Sequence, residues 1–169
     1  FSLSQANLKQ GFIPLRSVLS ESFDRLDELS KKSGSLRGVS TGFGDLDSCL
    51  AGMQDSNLLI LAARPGMGKT AFSLNIVQYA AAVSKVPVGY FSLEMSKEEL
   101  VDRMLVSQAD IDAWRLKTGK LTQDDFGKLS EAMGVLAEAP LYIDDTPGMS
   151  ILEMRTKARR LKSEHDLGL

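Results

Sequence analysis

The stretch Ala63-Arg64-Pro65-Gly66-Met67-Gly68-Lys69-Thr70 constrains this chain more than any other. It follows an apolar run, Leu58-Leu59-Ile60-Leu61-Ala62, and leads into an apolar-periodic one with Phe72, Leu74, Ile76, Val77 and Ala80. Strand, glycine-bearing loop and helix, in that order, are the setting of a phosphate-binding P-loop. Glycines at 66 and 68 let the backbone turn so that several N–H groups converge on one concavity. A helix opening near Lys69 adds the positive end of its dipole, which favours a polyphosphate there. Lys69 can then reach the β- and γ-phosphates of ATP, and Thr70 can offer its hydroxyl to Mg²⁺. Ala63 replaces the first glycine of the usual G-x-x-x-x-G-K-[ST] pattern, which a backbone of negative φ accommodates. The plain alternative is a strand-to-helix turn that binds nothing. With strand, loop, Lys-Thr and helix all in register, nucleotide binding is the expectation.

The chain has 169 residues, 43% of them hydrophobic, which is enough for one substantial core and one main domain. A net charge of −2 excludes a globally basic nucleic-acid binder. It leaves room for a ring-shaped motor, which needs only a few basic residues along its channel. Cys49 is the single cysteine, so no intramolecular disulfide framework exists, and a reducing cytoplasm fits. No run approaches the length of a membrane span, and Phe1 opens no signal-peptide pattern. A start at Phe1 and an end on Leu167-Gly168-Leu169 read as a truncated chain.

Residues 1–35 read as a polar tail, an amphipathic helix and a Ser/Gly connector, and residues 36–169 as the main domain. Leu15, Val18, Leu19, Ser22, Phe23, Leu26 and Leu29 recur at helical spacing behind Pro14. A short helix through Leu50 closes at Gly52. Residues 58–62 are expected as a first strand, Lys69 to about Val83 as a helix, and 86–93 as a second buried strand with Pro87 at its start. Ser96 with Glu99 is a capping box for a helix to about Ser107. Asp110 is read as the cap of a short helix through Leu116. Thr122 is read as the cap of another helix, from Gln123 to Ala137, with Phe126, Leu129, Met133 and Leu136 inward. Leu141–Ile143 is a third strand. Ser150 and Glu153 box the last helix, which runs to His165 with Ile151, Met154, Ala158 and Leu161 inward and Arg155, Lys157, Arg159, Arg160 and Lys162 outward. Leu167–Leu169 would begin a fourth strand. Strands alternating with helices give an α/β fold, a mostly parallel sheet with helices on both faces.

Two further places carry possible chemistry. Glu94 lies just past the second strand, at the sheet edge from which the P-loop projects and where ligands bind in open parallel sheets. It is either a base that polarises the water attacking the γ-phosphate or a surface carboxylate before a helix. Asp144 and Asp145 follow an apolar run as a metal-holding aspartate would, yet Thr146-Pro147-Gly148 follows at once, which favours a cap or turn.

Taken together, several blocks resemble the DnaB family of bacterial replicative DNA helicases. They are Ser40-Thr41-Gly42-Phe43 with Leu46-Asp47, Ala62–Thr70, Phe91-Ser92-Leu93-Glu94-Met95, Arg103-Met104-Leu105, Lys117–Leu121, Tyr142–Asp145 and Arg155–Leu161. The resemblance implies a RecA-like P-loop motor domain, truncated after about its third core strand, preceded by a linker helix, and working as a homo-hexamer. It implies ATP-driven 5′→3′ translocation on single-stranded DNA and unwinding of duplex DNA. Lys69 and Thr70 match the family's phosphate and Mg²⁺ residues, and Glu94 its catalytic glutamate. Leu15–Leu29 matches the linker helix that packs on an adjacent subunit. Primase and a helicase loader are the implied partners. The same pattern places the Walker B aspartate on the strand that Leu167–Leu169 begins, so Asp144 is not its equivalent. The DNA-contacting loops and arginine finger lie further on, so these residues alone are expected to bind nucleotide weakly and turn little over. The alternatives are another RecA-like ATPase, such as a recombinase or primase-helicase, and a nucleotide-dependent ring-assembly module.

Overall fold

A computed structural model describes Pro14, Leu15, Val18, Leu19, Phe23 and residues 36–169. The chain divides into two units, Phe1–Ser35 and Leu36–Leu169. In the first, Leu15, Val18, Leu19 and Phe23 are helical and exposed. The rest of the expected linker helix, the tail before it and the connector after it lie outside the described residues.

The second unit opens with an antiparallel bridge between Val39 and Met53, which brackets α1 (Gly44–Leu50). Asp47 fixes this opening. Its buried carboxylate accepts hydrogen bonds from Ser40 Oγ (2.5 Å), Thr41 N–H (2.8 Å) and Thr41 Oγ1 (2.7 Å). Gly42 is needed beside it, because its φ is +82° and a Cβ there would lie 2.6 Å from the Tyr79 ring. Ala51, in the left-handed conformation, ends α1 one residue before Gly52.

Helix α2 spans Lys69–Gln78 and runs into a π-helical turn, Tyr79–Val83, within the single helix expected from sequence. The wider turn, closed by Ser84 N–H donating to Tyr79 O, accompanies the fully buried Ala80 and Ala81, which pack with Val77 and Val88. Then follow β1 (Val88–Phe91), α3 (Lys97–Ala109), α4 (Ala113–Thr118), α5 (Gln123–Ala137), β2 (Leu141–Asp144) and α6 (Ile151–His165).

The strands β1 and β2 are parallel, with Val88 opposite Leu141 and Phe91 opposite Asp144. Leu167–Leu169, expected to begin a fourth strand, forms none, but it lies along the other edge of β1. Leu169 N–H donates to Pro87 O (3.2 Å) and its carbonyl accepts from Gly89 N–H (2.9 Å). Side chains alternate across the sheet. Val88, Tyr90, Leu141 and Ile143 face α2 and α3, where Leu74, Leu100 and Met104 are buried. On the opposite face Gly89 lies against Leu161 of α6, and Tyr142 stacks on His165 with centroids 4.5 Å apart. Helices therefore cover both faces.

Several expectations are corrected. Residues 58–62 form no strand: Leu58 is 85% and Ile60 83% exposed. A strand needs a ladder, and among the described residues none hydrogen-bonds to the backbone of this run. Asp110 closes α3 in the left-handed conformation (φ +50°), and Asp112 caps α4 by accepting from Trp114 N–H. On α5 the buried stripe is Asp125, Leu129 and Ala132, with Phe126 and Met133 exposed. On α6 Ile151 points outward, and Lys157 is drawn to the sheet by Asp144. Trp114 is 60% exposed, with Lys120 Nζ 5.2 Å from its ring centroid.

Candidate functional site

The loop from Ala63 to Gly68 lies exposed before α2. Met67 N–H donates to Arg64 O (3.2 Å), which makes Arg64–Met67 a tight turn through Pro65 and Gly66. Gly66 and Gly68 sit at φ +77° and +84°, values that suit glycine. A Cβ built on either meets nothing within 4 Å, so the loop borders open space that side chains would fill. Gly68 is the N-cap of α2 and supplies no side-chain cap, whereas Ser96, Asp112, Thr122 and Ser150 cap α3 to α6. A bare helix start behind a glycine loop leaves backbone N–H groups directed at that space. Thr70, half-buried, occupies the second position of the helix.

The structure brings Lys69 and Glu94 together: Lys69 Nζ lies 3.8 Å from Glu94 Oε1, with the side chains 48% and 76% exposed. Glu94 rides on the link between β1 and α3. Ser92 Oγ donates to Met95 O (2.6 Å) within that link, and Met95 packs against the Leu74, Leu100 and Met104 cluster. Ser96 accepts from Glu99 N–H, one half of the expected capping box; the return bond from the Glu99 side chain is not made. The N–H of Lys97 goes instead to Asp145 Oδ2 (3.0 Å), across the sheet edge.

The paired aspartates after β2 divide as a turn and a cap. Asp144 accepts from Lys157 Nζ, from Thr146 N–H (3.0 Å) and from Thr146 Oγ1 (2.6 Å). The Lys157 hydrogen bond, followed by those from Thr146, holds its carboxyl down at about 2. Asp145 is also lowered, first by the Lys97 N–H bond and against the opposing effect of desolvation. Neither carboxylate joins Lys69, and among the described residues no three His, Cys, Asp or Glu side chains group as a metal cage. The Thr70 hydroxyl, beside the open space at the loop, could join the oxygens of a bound polyphosphate around Mg²⁺. The link to Asp145 was not legible in sequence. Its signal is the register, which carries Asp145 past Asp144 to the start of α3.

Residues 38–169 match the model of the DnaB-like helicase C terminal domain. The chain belongs to this family. It is 46% identical over 167 residues to Replicative DNA helicase DnaC of Bacillus subtilis (strain 168), an alignment covering 99% of this chain and 37% of that protein. The chain thus spans well under half the length of that relative. Among solved structures, one ATPase domain superposes with a TM-score of 0.83 at 30% identity, covering 92% of this chain and 54% of that one. A DnaB-like replicative helicase, solved in a study of its interactions with primase, gives a TM-score of 0.79 at 31% identity, covering 93% and 36%. The fold of this DnaB-like domain is accordingly RecA-like α/β. Among the described residues no helix is long and apolar enough to cross a membrane.

Proposed function

We propose that these residues form the nucleotide-binding part of a cytoplasmic replicative helicase motor, which couples ATP hydrolysis to 5′→3′ translocation on single-stranded DNA and to duplex unwinding. One observation carries the reading: a lysine on a bare, glycine-lined helix start stands 3.8 Å from the carboxylate of Glu94. A polyphosphate at the Ala63–Thr70 loop takes hydrogen bonds from backbone N–H groups and charge from Lys69. The Thr70 hydroxyl would hold Mg²⁺, which would supply charge neutralisation at the phosphates. Lys69 turns from Glu94 to the β- and γ-phosphates, and Glu94 is left to orient a water and accept its proton.

The Leu15–Leu29 segment joins neighbouring copies into a homo-hexamer. Single-stranded DNA, primase and a loader are engaged by other parts of the protein. Asp144, tied to Lys157 and Thr146, is not the metal-holding aspartate of the motor, so the 169 residues alone hydrolyse little. The test is unwinding of forked duplexes by the full-length protein, alongside Lys69→Ala. Unwinding confined to forks with a free 5′ tail, and abolished in Lys69→Ala with ATP binding weakened, supports the motor. Unwinding from 3′ tails, or ATP binding untouched by the substitution, overturns it.

A further inference from the structure

We infer that Asp145 is a positioning residue for Glu94: it ties the far end of the Glu94 loop to the end of β2. The inference rests on the reading of Glu94 as the water-orienting base. The loop runs from Ser92 to Ser96, and the last residue of β2, Asp144, and the residue after it, Asp145, hold its two ends. Ser92 N–H donates to Asp144 O at 2.9 Å, and Lys97 N–H donates to Asp145 Oδ2 at 3.0 Å. Lys97 Nζ adds an ion pair to Asp145 Oδ1 at 3.8 Å.

Glu94 itself contributes little to this hold. Its side chain is 76% exposed, and among the described residues its one ion pair is with Lys69. Its position is therefore set by the backbone on either side. Residues 92–95 are fixed by Ser92 Oγ bonding Met95 O and accepting from Met95 N–H. What remains is the junction with α3. Ser96 already serves that helix as its local cap through Glu99 N–H. The Asp145 bond, 48 residues away in sequence, anchors the junction to the sheet rather than to its own helix. A carboxylate facing a helix N-terminus is held there by the dipole as well. Displacement of a catalytic group by about 1 Å can cost on the order of a hundredfold in rate, so a loose junction is felt in turnover before it is felt in binding.

Two substitutions in the full-length protein test this from opposite sides. Asp145→Ala removes the acceptor. Lys97→Pro removes the donor at the first helical position, where proline is tolerated, and Ser96 before it already has the extended ψ of 157° that proline requires. Each is expected to lower kcat for DNA-stimulated ATP hydrolysis about tenfold, while the Kd for a fluorescent ADP analogue stays within about twofold. Asp145→Asn, which keeps an acceptor, restores most of the rate. Thr122→Ala removes a cap of the same kind on α5 and leaves kcat unchanged. In a Glu94→Gln background neither substitution lowers the residual rate further. Wild-type kcat in Asp145→Ala and Lys97→Pro, no rescue by asparagine, or a defect that multiplies that of Glu94→Gln would each overturn the inference. If Glu94→Gln alone hydrolyses at the wild-type rate, the reading of Glu94 falls and this inference with it.

Discussion

Lys69 and Glu94 are joined across 3.8 Å, so the proposed phosphate-binding cation and the candidate base neutralise one another. Both side chains are well exposed, and pairs of this kind contribute at most about 1 kcal/mol. A polyphosphate therefore displaces Glu94 at small cost. Glu94→Gln is expected to tighten ADP binding by about two- to fivefold at low salt, an effect screened at high salt. In a Lys69→Ala background the gain should vanish. Titrations at two ionic strengths check this; a gain that persists without Lys69 would show a general field effect instead.

Asp47 anchors the segment that leads into the RecA-like core. Its carboxylate takes hydrogen bonds from Ser40 and Thr41; burial alone would raise its pKa, but the donors of Ser40, Thr41 and Gly42 together hold it below the ordinary carboxylate value. Asp47→Ala leaves the buried Thr41 N–H without its partner, at a cost of about 2 kcal/mol. Denaturant unfolding of the RecA-like unit should show that loss, and an unchanged midpoint would refute the role.

Asp144 gives the fold an acid-side dependence. Its carboxyl is lowered from 3.8 to about 2 by Lys157 and Thr146. The stability it contributes is present above the unfolded pKa and is lost as pH falls through the folded one. Between about pH 4 and pH 2 the wild-type protein should lose stability more steeply than Asp144→Asn. Parallel acid-unfolding curves for the two proteins would contradict the assignment.

The P-loop was legible because all its parts are local: two glycines, a lysine, a threonine and the helix phase that follows them. Helix boundaries at Ser150 and Thr122 were legible for the same reason, since a cap and its N3 partner lie three residues apart. Positions set by packing were not. Phe126 and Met133 are large and apolar, but α5 is rotated so that the smaller Ala132 meets the interior, with Leu129 beside it. Leu58–Ala62 has the composition of a strand, and pairing depends on partners that composition does not name. Asp110 and Asp112 both suit a helix end, and only the left-handed backbone at Asp110 shows which end it serves. Asp145 reached its place through the sheet register, a tertiary relationship with no mark in the local sequence.

The most direct measurement is steady-state ATP hydrolysis by the full-length protein, with and without single-stranded DNA, beside Glu94→Gln. The expected result is DNA-stimulated turnover in the wild type, reduced about a hundredfold or more in Glu94→Gln with nucleotide binding retained. Hydrolysis indifferent to DNA, or undiminished in Glu94→Gln, would contradict the account and leave a nucleotide-binding assembly module in its place.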